Sequence, residues 1–419
     1  MEFVRSSTRV LESVARNGLG SIRCLSNSSV SPITSFVRRL VGVPNSQIKA
    51  TLDAESDNHL TLKSLEFSWD ALLSSLSSSS PHKAHLVLEW RLEKIVKAKE
   101  GNPGCYSELI SMCGKIKDVS LAMQVFAAME AHGIKPTCSI FNALLSACFS
   151  SGNLITALSL FEVMHHSEPY KPNSDTYNAF ISTYANLGNE KAMESWYSAR
   201  KAAGFSADVQ TYESLLSGCV KSKNFDGVDR FYEEMALSGV RPNVRILEMV
   251  LLGHCKRRNL AKVKEFLEFI VDGTYSINVT MAENLVRFFY DLGKVEEMED
   301  LLATLMNSNH DVEVLSLVHY GIIRSFTMLD RLDDVEYAFG RMLRQGISFK
   351  CSEDIDMVIR LYFRHAAYDR LEMFLECIKC SSYKLTRSSY DMLVAGYRRA
   401  GLPVKLDLVL NDMKLAGFL

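Results

Sequence analysis

The stretch CSIFNALLSACFSSGNLITALSLFEVMHHSEPYKPN, residues 138–173, decides the fold. It predicts two short amphipathic helices, because apolar side chains recur at helical spacing on both sides of the polar break Ser150–Asn153. Pro172 then prevents the second helix from continuing. A pair of helices this short cannot bury its apolar faces alone, so we expect similar pairs to stack on it.

Similar pairs follow along the chain at a nearly constant spacing. Shifting the stretch by 35 or 36 residues aligns a helix-opening aromatic residue at Tyr106, Phe141, Tyr177, Tyr212 and Tyr390. A closing G-x-x-P-x turn appears at 133–137 and again at 239–243. This period predicts nine units: 103–137, 138–173, 174–208, 209–243, 244–278, 279–315, 316–350, 351–386 and 387–419.

The composition fits a repeat protein, whose core grows linearly with its length. The 47 Lys and Arg residues nearly balance 49 Asp and Glu residues, so the chain has no overall basic excess. Cys113, Cys148, Cys219 and Cys255 fall at position 11 or 12 of their units, which indicates buried packing thiols rather than disulfides. No apolar run approaches the ~18 residues that a membrane helix needs, so we expect no membrane insertion.

The first hundred residues differ from the repeats. Residues 1–40 are rich in Arg and Ser and poor in acidic residues, which predicts a disordered organelle transit peptide; a merely disordered tail is the alternative. The sequence at 23–26 resembles a plant mitochondrial processing site, so we expect a mitochondrion, with the chloroplast as the alternative. Residues 41–60 are interpreted as a linker. Residues 61–102 predict a helical cap of two helices, 62–76 and 81–99, that shields the end of the repeats.

The unit with T-Y-N opening its first helix and G-x-x-P-x closing its second resembles the pentatricopeptide repeat family, in its pure-repeat (P-type) class, over residues 103–419. Residues 175–178 (DTYN) and 171–173 (KPN) lie closest to the family pattern. The tetratricopeptide alternative lacks its Trp-Leu-Gly-Tyr signature here. The resemblance implies an all-α fold, a right-handed α-solenoid, and a groove lined by the first helices in which single-stranded organellar RNA binds one base per repeat.

The resemblance also implies site residues at position 5 of each repeat, at its last residue and at position 13. Ser107 with Thr137 has no assigned base. Asn142 with Asn173 resembles a pyrimidine-selecting pair, and Asn178 with Asp208 a uridine-selecting pair. The candidate phosphate contacts at position 13 are Lys115, Lys221, Lys256 and Arg399, with ordinary solvated helix ends as the alternative.

Three later repeats depart from that pattern, because Glu213, Glu248 and Glu283 occupy position 5. Tyr320 and Ile355, which occupy position 5 in the next two repeats, lack the side-chain amide of the family pattern. These carboxylates favour a second hypothesis: a structural scaffold or ribosome-associated protein that holds ribosomal or other RNA-processing proteins, or rRNA, without selecting sequence.

No motif predicts catalysis. The single C-x-x-C, Cys377 with Cys380, lacks the second ligand pair of a zinc site and is interpreted as core plus turn. No phosphate-binding loop is present, and we expect no appended catalytic domain, no metal, no cofactor and no enzymatic activity.

Overall fold

The computed structural model describes residues 32–57, 68–98, 101–273, 275–307, 311–381 and 383–418. These residues contain α-helices, one short 3₁₀ turn at Asn45–Gln47 and no strand. They form two compact units, which divide between Asn243 and Val244. No helix among the described residues is long and apolar enough to cross a membrane.

The unit that ends at Asn243 has twelve α-helices in its described part. They are α1 (Pro32–Gly42), α2 (Ile48–Asp57), α3 (Trp69–Ser79), α4 (Pro81–Lys97), α5 (Pro103–Lys115), α6 (Val119–Ala131), α7 (Cys138–Ser150), α8 (Leu154–His165), α9 (Ser174–Asn186), α10 (Glu190–Ala202), α11 (Val209–Ser222) and α12 (Phe225–Leu237).

The unit that begins at Val244 has ten α-helices in its described part. They are α13 (Val244–Lys256), α14 (Leu260–Asp272), α15 (Val279–Leu292), α16 (Val295–Asn307), α17 (Val312–Met328), α18 (Leu332–Arg344), α19 (Ser352–Arg364), α20 (Tyr368–Cys380), α21 (Arg387–Ala400) and α22 (Pro403–Leu415).

Within each unit the helices alternate between two stacked rows. The first helix of a pair packs on its own second helix and on the first helix of the next pair, as α5 packs on α6 and α7, and as α15 packs on α16 and α17. The buried apolar side chains form a core between the rows. The expected all-α repeat solenoid is thereby confirmed for each unit.

A left-handed residue turns the chain between the two helices of every repeat. The residues are Lys117, Gly152, Gly188, Lys223, Arg258, Gly293, Asp330, Ala366 and Gly401, with φ between 50° and 77°. A second set of left-handed glycines, including Gly133 and Gly239, follows the second helices, where the closing turn was predicted.

The interpretation of residues 41–60 as a linker is wrong for the residues described. α1 extends to Gly42 and α2 spans Ile48–Asp57, and both pack on the following pair, α3 and α4. Only Ile48 and Leu52 of α2 are completely buried apolar side chains, so its polar sequence hid a helix with a narrow apolar face.

The predicted transit peptide, residues 1–40, overlaps the folded unit at its C-terminal end. Residues 32–40 are helical, and the side chains of Phe36 and Leu40 are buried, so they belong to the folded unit. The remaining residues 1–31, including the expected processing site, lie outside the described residues.

The four thiols at the small-residue position are unpaired and buried. Desolvation raises the pKa of Cys113, Cys219 and Cys255 to about 12 and shifts that of Cys148 in the same direction. A thiol with such a pKa is a packing group and not a nucleophile at neutral pH.

Candidate nucleic-acid interface

Asn142, at position 5 of its repeat, bridges two neighbouring first helices. Its Nδ2 donates to Asn173 Oδ1 at 3.1 Å, and its Oδ1 accepts from the Thr176 hydroxyl at 2.7 Å. Asn173 is the N-cap of α9 and accepts there from the Thr176 amide at 3.0 Å. Both amide oxygens are therefore engaged. Asn142 Nδ2 also donates to Cys138 Sγ at 3.8 Å, so the N–H groups left for a ligand are chiefly those of Asn173, and they make this pair a donor of hydrogen bonds.

Asn178 repeats the arrangement in the next repeat with a carboxylate. Its Oδ1 accepts from the Thr211 hydroxyl at 2.8 Å, and its Nδ2 donates to Asp208 Oδ2 at 3.5 Å. Burial opposes ionisation of Asp208, but the hydrogen bonds from Thr211, together with Arg200 and Asn178, hold its pKa below the usual value. This pair therefore offers one donor and one acceptor, the complement of a base edge that carries both.

The threonines that brace these amides were missed in the sequence. Thr176 and Thr211 are completely buried and occupy position 3 of the following repeat. The sequence contains a hint of this role, because Thr176 is part of the DTYN motif on which the family resemblance rests. The motif alone does not indicate that the threonine hydroxyl fixes the amide of the preceding repeat.

The first pair of candidate base contacts, Ser107 and Thr137, is not joined by a hydrogen bond like those of the next two repeats. Ser107 Oγ lies 3.4 Å from Ser139 Oγ, and Thr137 instead caps α7 by accepting from the Ile140 amide at 3.4 Å. Ser107 and Thr137 share no hydrogen bond within the described chain.

Two of the three glutamates occupy the same kind of pair. Asn243 Nδ2 donates to Glu213 Oε2 at 2.9 Å in the unit ending at Asn243, and Asn278 Nδ2 donates to Glu248 Oε1 in the other unit. Asn243 and Asn278 were not singled out as site residues, although each closes its repeat as Asn173 does.

Glu283 has a different environment. The residue that closes its repeat is Leu315, which lies inside α17 and has no amide side chain to offer. Glu283 is exposed and lines an open cavity of about 500 Å³, together with Arg287 and Tyr290. Arg324, also in the cavity wall, makes a two-pronged ion pair with the buried carboxylate of Asp354. The three glutamates thus do not form one uniform row.

The left-handed turn residues correct one repeat register. In the repeats of Asn142, Asn178 and Glu248, the left-handed residue comes ten positions after position 5. Counting back from Ala366 places Asp356, and not the buried Ile355, at that position. Asp356 Oδ1 accepts from the Ser389 hydroxyl at 2.5 Å, as Asn178 accepts from Thr211. The repeat therefore begins at 352, one residue later than predicted.

The four predicted phosphate contacts are all exposed at the ends of first helices. Lys115 Nζ lies 2.5 Å from Asp70 Oδ1, and Lys221 Nζ donates to the carbonyl oxygen of Asn186 at the end of the preceding first helix. Arg399 Nε donates to Ala395 at 3.3 Å within its own helix. The corrected register adds Arg364, which donates to Asp330 and to the Thr327 carbonyl.

The described residues contain no group of three His, Cys, Asp or Glu side chains placed to hold a metal ion. Cys377 is half-buried with a pKa raised by desolvation to about 11, and Cys380 is exposed. These environments agree with the interpretation that Cys377 belongs to the core and Cys380 to the turn that follows.

Comparison with known proteins identifies the repeat. The pentatricopeptide repeat domain model matches residues 102–150, 140–187 and 199–256. Pentatricopeptide repeat-containing protein PPR5, chloroplastic, of Zea mays is 35% identical over 95 residues, which are 22% of this chain and 19% of that protein. Small ribosomal subunit protein mL103 (rPPR7) of Arabidopsis thaliana is 30% identical over 110 residues, 25% of this chain and 27% of that protein.

The fold agrees with a solved member. The crystal structure of the pentatricopeptide repeat protein PPR10 from maize superposes with a TM-score of 0.56 at 18% identity, covering 99% of this chain and 61% of that one. The chain thus spans less than two thirds of these proteins. The helix pairs from α5 to α13 and the braced amides Asn142 and Asn178 nevertheless lie within or next to the segments that the repeat model matches. Residues 102–187 and 199–256 thus carry pentatricopeptide repeats.

Proposed function

We propose that this protein binds single-stranded organellar RNA and acts in post-transcriptional RNA metabolism, such as processing, stability, splicing or translation, without catalysis of its own. The observation that carries this proposal is the pair of braced amides, Asn142 and Asn178, at equivalent places in consecutive repeats. Fixed donors and acceptors on a surface distinguish one base edge from another, whereas mobile side chains do so poorly.

The two pairs differ in the bases they complement. Asn142 with Asn173 presents donors and therefore favours the carbonyl-bearing edge of a pyrimidine. Asn178 with ionised Asp208 presents a donor beside an acceptor, which suits the N3–H and flanking carbonyl of uracil. Ser107 and Thr137 have no such pairing and are assigned only a contact without selectivity.

Lys115, Lys221, Lys256 and Arg399 complete the proposed interface as phosphate contacts. The ion pair that Lys115 makes is exposed, and exposed pairs contribute only ~0–1 kcal/mol, so a phosphate can replace Asp70 at little cost.

The proposed destination is an organelle. The resemblance of residues 23–26 to a plant mitochondrial processing site supports a mitochondrion, whereas the chloroplastic relatives support a chloroplast. Imaging the full chain with a fluorescent tag distinguishes the two.

Substitution of Asn178 by Ala tests the base contact. We expect a loss of ~1–3 kcal/mol in binding free energy for RNAs that carry uridine at one nucleotide position, and a smaller loss for the other three bases. The measurement is fluorescence anisotropy with four RNAs that differ only there. Asn189→Ala is the matched control, because it removes a helix cap of α10 without touching the pair.

An equal loss of affinity for all four RNAs would contradict base selection at Asn178. It would favour a second candidate, a ribosome-associated scaffold that binds protein partners or rRNA without selecting sequence. The likeness to small ribosomal subunit protein mL103 supports that candidate, in which Glu213, Glu248 and Glu283 contact a basic partner.

A further inference from the structure

We propose that the Glu248–Asn278 pair selects guanine, an inference that rests on the RNA-binding function proposed above. Glu248 lies at position 5 of α13 and is half-buried, and Asn278 closes the same repeat. Their place in the repeat is that of Asn142 and Asn173, but their chemistry is the opposite.

Asn278 has no freedom to present a different group. Its Oδ1 accepts from the Met281 amide at 3.0 Å, which caps α15, and its Nδ2 donates to Glu248 Oε1. An amide whose oxygen is held by a helix N-terminus cannot flip without losing the cap. The side chain is therefore locked with its N–H toward the carboxylate.

The bond from Asn278 orients the Glu248 carboxylate, which remains a hydrogen-bond acceptor. Within the described residues its Oε2 makes no hydrogen bond and no ion pair, and Oε1 retains a second lone pair beside the bond from Asn278. This repeat therefore offers a ligand the two acceptor oxygens of the carboxylate, beside the second N–H of Asn278, which suits the O6 acceptor of guanine.

Only one RNA base matches two parallel acceptors. The Watson–Crick edge of guanine places N1–H beside N2–H₂, so each carboxylate oxygen receives one donor. Cytosine and adenine each place a ring-nitrogen acceptor beside their single amino group, and uracil flanks its N3–H with two carbonyl oxygens. With any of these three bases, an acceptor atom of the base would face an oxygen of the carboxylate with no hydrogen between them. Such a contact weakens binding, because both acceptors lose their hydrogen bonds to water.

The charge of the same repeat offsets repulsion between Glu248 and the RNA backbone. Residues 244–278 contain six Lys or Arg residues and four Asp or Glu residues. Lys256, Arg257 and Arg258 follow one another at the end of α13 and are exposed. One carboxylate at position 5 of a repeat with this positive balance reduces the attraction for phosphates without abolishing it.

Glu248→Gln tests the inference, because it preserves the size of the side chain and replaces one acceptor oxygen with a donor. Removing a negative charge raises the affinity for every RNA, so the diagnostic quantity is the ratio between bases at one position. We expect the wild-type full chain to enrich, from a random RNA pool, a motif with guanine at one position. RNAs that differ only there should show a preference on the order of tenfold, which Glu248→Gln loses.

Glu265→Gln is the matched control, since it makes the same charge change at an exposed site on α14, in the same repeat. Retention of the guanine preference in Glu265→Gln together with its loss in Glu248→Gln supports the assignment. If both variants and the wild type enrich the same motif, the guanine assignment is wrong although RNA binding stands. The assignment is also wrong if the base preference that depends on Glu248 is for a base other than guanine. If the wild type binds no RNA at physiological salt, the proposed function itself fails.

Discussion

At the scale of the residue, the contacts of a side chain decide its chemistry more than its type does. Asn142 and Asn278 are both asparagines of the proposed interface, yet one is held by a threonine hydroxyl and the other by a helix N-terminus. The positions could be predicted from the repeat period and the resemblance. The bracing hydroxyls of Thr176 and Thr211 could not, because each bonds an amide of the preceding repeat, and spacing within one repeat carries no information about such a contact. The Asn278–Glu248 bond lies within one repeat, but its carboxylate replaces the amide of the family pattern, so the resemblance did not indicate it.

His319 gives a prediction at the same scale. The side chain is completely buried in α17, and its Nε2 lies 2.8 Å from Gln345 Oε1. Desolvation and Arg341 lower its pKa below 6.5, against the opposing effects of Gln345 and Glu299. As the pH falls below 6.5, His319 therefore becomes protonated in the unfolded chain but stays neutral in the folded chain. The free energy of unfolding decreases until the pH reaches the pKa of His319 in the folded state.

We expect the thermal midpoint of the wild type to fall more steeply than that of His319→Gln as the pH decreases below 6.5. His82→Gln, at an exposed site, should keep the wild-type slope. Parallel slopes for His319→Gln and the wild type would show that this imidazole does not control acid stability.

At the scale of the element, the period predicted the helix pairs, and departures from the period account for the errors. The left-handed residues are 35 or 36 positions apart except between Gly293 and Asp330, which are 37 apart. α17 is also longer than its neighbours, at 17 residues. No T-Y-N motif follows it to restore the alignment, so the choice between Ile355 and Asp356 could not be made from the sequence. Similarly, α2 has too few apolar residues for periodicity to reveal it.

The close approach of first helices gives a prediction for this scale. A Cβ on Gly114 of α5 would lie 2.9 Å from the Cα of Ala147 in α7, where backbone and not a flexible side chain must move. We expect Gly114→Ala to lower the free energy of unfolding by ~1–3 kcal/mol, measured by urea denaturation.

Gly340→Ala provides the contrast. Gly340 is inside α18 and has no atom within 4 Å of the added Cβ, so the better helix propensity of Ala should raise stability by up to ~1 kcal/mol. Equal effects of the two substitutions would mean that the contact between α5 and α7 is not tight.

At the scale of the whole molecule, the proposed RNA binding by a chain without net basic charge requires local arrangements of cations. Replacing Lys115, Lys221, Lys256 and Arg399 by Ala should reduce the slope of log affinity against log salt by up to about 3, since each contact to a single strand contributes ~0.7. The measurement is a salt titration of RNA binding, and sequence preference should be unchanged.

The matched control removes four exposed cations from second helices: Lys191, Lys264, Arg344 and Lys414. It changes the net charge equally and should leave the slope nearly intact. A similar reduction in both variants would show that the first helices are not the phosphate-binding face.

The buried thiols have a consequence for how the protein can be studied. Cys113, Cys148, Cys219 and Cys255 lie in four different repeats, and their raised pKa leaves almost no reactive thiolate while the helix pairs are closed. Alkylation of each sulfur must therefore wait for its own repeat to open. The rates at the four positions would map local opening free energies along the chain, with the native cysteines as the probes.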